Sequence, residues 1–150
     1  MTTISQVVTA LAAVLDDITG VDVVDTTGYD AAVTTRDTAL IIPPFEQASM
    51  YGINTHSTYV AFQTHMVRCE FWCKVTTTVA AAATRARTVE AAITAALLVD
   101  PTLGGVVSDI ATTDDGDTFY RVVRTRVEDV RFRDVAFYRV IAEIPVLILN

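Results

Sequence analysis

"TYVAFQTHMVRCEFWCKV", residues 58–75, is the longest stretch of alternating β character in the chain. Successive side chains of a strand point to opposite faces. One face of this strand would carry Tyr59, Ala61, Gln63, His65, Val67, Cys69, Phe71, Cys73 and Val75. The other would carry Val60, Phe62, Thr64, Met66, Arg68, Glu70, Trp72 and Lys74. The first face grows more apolar along the strand, and the second turns polar after Met66. So long a strand is expected to bend, or to project as one arm of a hairpin. Everything else in the fold has to be arranged around it.

Before this strand lies an amphipathic helix. Ile4, Val7, Val8, Leu11, Val14, Leu15 and Ile18 recur at helical spacing. Thr3 and Gln6 fit a capping box, and Gly20 is a natural stop. "VDVVD" (21–25) predicts a short strand and "TTGYDAAVTTRD" (26–37) a loop. Ala39–Ile42 predicts a second strand, closed by Pro43-Pro44, which cannot donate ladder hydrogen bonds. "FEQASMYGINTHS" (45–57) reads as another loop, with apolar Phe45, Met50, Tyr51 and Ile53. These side chains either tuck into the domain or await a partner.

After the long strand, Ala82, Ala86, Val89, Ile93, Ala96 and Leu97 form the apolar stripe of a second helix, about Val79 to Val99. Its alanines favour helix and allow close packing on a sheet. "LLVDPTLGGVV" (97–107) ends it. Asp100 precedes Pro101 and is pushed out of helical geometry. Leu103 can fold back onto the helix end. Gly104-Gly105 supply positive φ, so the chain can reverse into a strand at Val106. "VVSDIATT" (106–113) is expected as that strand, "DDGD" as a hairpin turn, and "FYRVVRTRVEDV" (119–130) as one long strand. "RFRD" (131–134) reads as a charged crossing. "VAFYRVIAEIPVLIL" (135–149) is the last strand, with Pro145 suggesting an edge or a bulge. The expectation is a single α+β domain over residues 1–150, a mixed, mainly antiparallel sheet with two α-helices packed against it.

Composition narrows the function classes. At 150 residues one domain is expected, and a chain of this size buries roughly 70% of its unfolded surface. The apolar fraction of 51% leaves room for oligomerisation as well as a rich core. No apolar run approaches the ~20 residues of a membrane span. The N-terminus lacks the basic and apolar blocks of a secretory signal, which predicts cytosolic synthesis. A net charge of −7 opposes phosphate backbones.

No catalytic constellation is legible, and neither a cofactor nor a metal is expected. Cys69 and Cys73 would lie about 13 Å apart on one strand face, too far for a disulfide. With only His56 and His65 beside them, they make a poor zinc set. "DDGD" lacks the spaced oxygens of a calcium loop. Gly104-Gly105 lacks the Lys and Ser/Thr of a phosphate loop. His65 reads as a half-buried residue without a role in catalysis. Arg121, Arg124, Arg126, Arg131, Arg133 and Arg139 crowd the last third, interleaved with Glu128, Asp129, Asp134 and Glu143. Mixed sign suits contact between protein surfaces, or a solvated strand face, better than a DNA footprint.

The order of elements, with "ALIIPP", "YVAFQTHMV" and above all Asp100, Pro101, Leu103, Gly104 and Gly105, resembles the tail terminator (tail completion) proteins of long-tailed bacteriophages. The resemblance spans about Ile4 to Ile148. The loops at 26–38 and 45–57 and "VEDVRFRD" depart from it. It implies a homo-oligomeric ring, usually of six subunits, in the virion at the head–tail junction, assembled in the host cytoplasm. Such a ring caps the tail tube protein, faces the head-side connector or stopper, and lets DNA pass through its lumen without specific binding. Phe45, Tyr51, Arg131 and Arg133 are the contact residues this reading selects. A head-closure or connector subunit, and more distantly a small enzyme or ligand-binding domain, are the alternatives. An enzyme would show a concave site with convergent polar groups.

Overall fold

The computed structural model describes residues 2–24, 31–43, 48–54, 60–113, 119–120 and 123–149. Helix α1 spans Ile4–Asp16, and Thr3 and Gln6 form the capping box reciprocally. Gly20, at φ +81°, releases the chain into β1 (Asp22–Val23). A short 3-10 turn over Ala31–Thr35 leads to β2 (Thr38–Ile41). β3 (Ala48–Asn54) and β4 (Val60–Lys74) follow, then α2 (Val79–Val99). β5 (Thr112–Thr113) and β6 (Phe119–Tyr120) form a two-stranded sheet of their own. β7 (Arg124–Phe132) and β8 (Val135–Leu149) complete the main sheet. That sheet has six strands ordered β1-β2-β4-β8-β7, with β3 paired to the other half of β4's β2-side edge. Among the described strands only β1–β2 is parallel. The chain is a single α+β domain.

β4 is the spine. One edge pairs with β8 from Phe62↔Leu149 to Lys74↔Phe137 without a register break. Its other edge is shared end to end. β2 takes Glu70 to Cys73, and β3 takes Val60 to Met66. The segment 48–54, expected as loop, is therefore a strand. Gly52 and the flanking polar residues hid it, while the vacant edge of β4 supplied the partner that propensity alone does not reveal.

The helices cover one face. Val7, Leu11 and Leu15 of α1 and Ala86, Val89, Ile93 and Leu97 of α2 pack with Val67, Cys69, Phe71 and Cys73 of β4 and Val140, Ala142, Ile144, Val146 and Ile148 of β8. Alanine on α2 lets the helix lie close to the sheet. Arg85 fastens its first turns by donating from Nη2 to the Lys74 carbonyl. The opposite face is not simply polar. Trp72, Phe137, Ala39, Ile41, Val24 and Val33 form a second, smaller core there. Trp72 meets Phe137 and Phe132 edge-on at 5.3 and 6.0 Å.

The last third departs from expectation in three places. Residues 106–113 do not form one strand. The chain turns through 101–107, makes a single bridge at Asp109↔Leu147 and reaches only the short β5. Three consecutive residues, Leu103, Gly104 and Gly105, have positive φ, so the reversal takes more chain than a glycine pair alone. The run 119–130 divides between two sheets as β6 and β7. Finally, "RFRD" is no crossing. Phe132↔Val135 closes a hairpin through Arg133 and Asp134, at φ 50° and 61°.

β8 is central, flanked by β4 and β7, not an edge strand. Pro145 is tolerated for a local reason. Leu147 bonds Asp109 on the side away from β4, and the Ala136 carbonyl accepts from Val75, the residue just after β4. By alternation Pro145 faces the β7 side. β7 begins at Arg124↔Glu143, so no described strand requires an amide from position 145.

Positive φ at both centres marks a type I′ hairpin turn, which favours Asn-Gly, and left-handed geometry costs an ordinary residue such as arginine roughly 1–2 kcal/mol. Replacing Arg133→Asn and Asp134→Gly should raise unfolding free energy by about 1 kcal/mol, read from the urea midpoint at unchanged m-value.

Candidate functional site

The 97–109 segment is the first of the two places the sequence pointed to. Asp100 does more than precede a proline. Its Oδ2 accepts from the Gly104 amide at 2.7 Å and its Oδ1 from the Thr102 hydroxyl at 3.1 Å. Leu103 is buried in the main core with Leu97, which offsets its left-handed backbone. The Thr2 hydroxyl donates to the Val106 carbonyl, and the Leu149 amide donates to Ser108 Oγ. The turn thus pins the start of α1 and the end of β8 to the end of α2. Its role is architectural.

Tyr51 and the Arg131–Arg133 pair, the contact candidates among the described residues, do not gather at one spot. Phe45 lies outside the described residues. Tyr51 sits on β3 opposite Gln63. Arg131 lies opposite Ala136, whose carbonyl accepts from Val75. Along β4 those rows are about 40 Å apart at ~3.3 Å per residue. Arg131 and Arg133 are exposed at the β7–β8 hairpin, where the Arg133 guanidinium lies 5.5 Å from the Phe132 ring centre.

Between the small core around Trp72 and the Asp109–Leu147 bridge, the helix-free face carries a strip of alternating charge. Registers place Arg68, Glu143 and Arg124 in one row, Glu70, Ile141 and Arg126 in the next, and Trp72, Arg139 and Glu128 in a third. Glu70 is wholly buried and meets Arg68 and Arg139, each at 3.2 Å. Arg139 also reaches Glu128 at 3.2 Å, and its guanidinium lies 5.1 Å from the Trp72 ring centre. Arg126 continues the chain to Glu128 at 3.5 Å and Glu143 at 3.9 Å. Burial alone would push the Glu128 carboxyl up. The guanidiniums of Arg139 and Arg126 outweigh it and hold Glu128 below the usual carboxylate range. The sequence gives no register, so Glu70 and Arg139, sixty-nine residues apart, were not predicted as partners. Their only signal is parity: Arg68 and Glu70 share one strand face, and Arg124, Arg126 and Glu128 share another.

Arg124 ends the strip without an acidic partner among the described residues. It lines a hollow of about 200 Å³ with Thr125, Arg126, Ile141 and Glu143. A larger groove of about 530 Å³ runs between the ends of the helices, lined mainly by Val14, Ile18, Ala95, Ala96 and Val99 with Asp17 and Asp100 on its rim.

His65 is fully buried rather than half-buried, its Nε2 3.3 Å from Gln63 Oε1. Burial pushes its pKa down. Cys69 and Cys73 are buried free thiols. Burial, and for Cys69 the nearby Glu70 charge, push both thiols up, away from the reactive thiolate. Among the described residues no three acidic, histidine or cysteine side chains group as metal ligands, and no helix is long and apolar enough to cross a membrane. No family model matches the chain, and no curated protein matches it.

Removing one member of a buried pair strands the other charge, whereas exposed pairs contribute little. Glu70→Ala should cost about 3 kcal/mol in chemical denaturation. Glu128→Gln, more than a third exposed, should cost below about 1 kcal/mol.

Proposed function

We propose that this chain is the subunit of a ring, six copies around, that caps the head-proximal end of a long-tailed bacteriophage tail. The ring stops polymerisation of the tail tube protein and offers its other side to the head connector. It works by matching interfaces and has no catalytic role. The reading rests on one observation: the run Asp100, Pro101, Leu103, Gly104, Gly105 closing the second helix, in a chain ordered as helix, short strands, long strand, helix and final strands. The formal charge of −7 is compatible with it, since an acidic lumen lets DNA pass without adhering. The protein would then reside in the virion at the head–tail junction, after assembly in the host cytoplasm.

Deleting the coding sequence from its source genome and imaging the particles tests this. Tails of uncontrolled length, unattached to filled heads, are expected. Normal-length tails beside unjoined heads would assign the chain to the neighbouring connector ring instead. Intact infectious particles, or a source without tails, would overturn the reading and favour a small enzyme or ligand-binding domain.

A further inference from the structure

The two side edges of the main sheet are unlike. β7 is one edge, paired among the described residues with β8 alone. Its residues 124, 126, 128, 130 and 132 face β8, so by alternation the backbone amides and carbonyls of Thr125, Val127, Asp129 and Arg131 point outward. Arg124, Arg126 and Arg131 on this edge and Arg133 at its turn are all exposed. At the other edge, α1 runs into β1. Asp16, Asp17 and Asp22 stand exposed at that corner, with Val23 42% exposed beside them. None of the three aspartates has an ion pair among the described residues.

The register relates the two edges. Asp22 pairs with Ala39, Ala39 with Trp72, Trp72 with Arg139, and Arg139 with Glu128. Asp22 and Glu128, at the middle of β7, therefore lie in one row across the sheet, with Arg124, Arg126 and Arg131 two to four residues from it along β7. β1 runs antiparallel to β4, and β7 runs parallel to it. Two copies in the same orientation, side by side, would bring β7 of one antiparallel to β1 of the next.

We infer that copies of this chain join head to tail through these edges, the arginine-bearing β7 edge of one against the Asp16–Asp17–Asp22 corner of the next. A head-to-tail contact closes when successive rotations return to the start and spirals when they do not. The occupant of the β7 edge is a second copy because the chain carries the complementary charge at its own opposite edge. Glu128 is already held by Arg139 and Arg126, and the exposed Asp129 and Asp134 leave the four arginines of β7 and its turn in excess. The inference rests on the ring reading and specifies which surfaces build the ring.

Three proteins test it by sedimentation velocity across concentration and salt: wild type, Arg124→Glu/Arg126→Glu, and Asp16→Lys/Asp17→Lys/Asp22→Lys. Thermal melts control for folding. The lysine variant is expected to fold, because cations suit a helix C-terminus. Wild type should assemble, more weakly as salt rises. Each variant alone should need at least about tenfold more protein to assemble. An equimolar mixture of the two variants should assemble again, since each restores the charge the other lacks. A lysine variant that self-assembles like wild type would overturn the inference while leaving a ring possible through other surfaces. Failure of the folded variants to assemble as a mixture would do the same. A wild-type protein that stays monomeric throughout would overturn the ring reading as well.

Discussion

The β4–β8 ladder is the constraint on which the rest of the molecule depends. Two strands of fifteen residues pair through thirteen consecutive positions without a bulge. Its helix-side residues supply the sheet half of the main core, and its other side carries Trp72, Phe137 and the charged strip. β2 and β3 divide one flank, while β7 takes part of the other. α2 returns along the ladder, and the turn after it is tied back to β8 at Leu147 and Leu149. Loss of this pairing would leave no surface for either helix.

Such a ladder needs its register fixed, because a slip of one residue exchanges the two faces of a strand. Here a slip of β4 against β8 would turn either Glu70 or Arg139, but not both, toward the helices and so part the pair. Burying Glu70 between two guanidiniums gives uncertain net stability, since desolvation offsets much of the attraction. It strongly penalises the slipped arrangement, where one of those charges would lie unpaired against leucine and isoleucine. The strip acts as a register lock on a face that would otherwise be too weakly patterned to choose.

Much of the architecture was legible because local signals agreed with tertiary demand. Thr3 and Gln6 mark the start of α1, alanine spacing marks α2, and Thr58–Val75 carries the alternation that becomes β4. The misses share a cause. β3 exists because β4 has a vacant edge, and no local pattern states where an edge is vacant. The division of 119–130 reflects partners in two sheets, which a continuous β-favouring run conceals. The hairpin at Arg133-Asp134 uses side chains atypical of its turn, so it looked like a charged crossing. Pro145 correctly signalled a missing ladder bond, but in a strand that is central elsewhere. The charged strip was half visible: the arginine crowding showed, while its partners in β4 depended on register.

The proposed assembly needs the arginine-bearing β7 edge to be free in the single chain and covered once copies join. Hydrogen exchange resolved to single amides tests that account directly. The amides of β4 and β8 that bond each other should exchange only through global unfolding, in monomer and assembly alike. Those of Thr125, Val127, Asp129 and Arg131 should exchange fast in dilute monomer and slow markedly on assembly. If those four stay fast in the assembled state, β7 is not the joining edge and the account of assembly is wrong. If they are already slow in the monomer, the edge is covered within the chain and was never free.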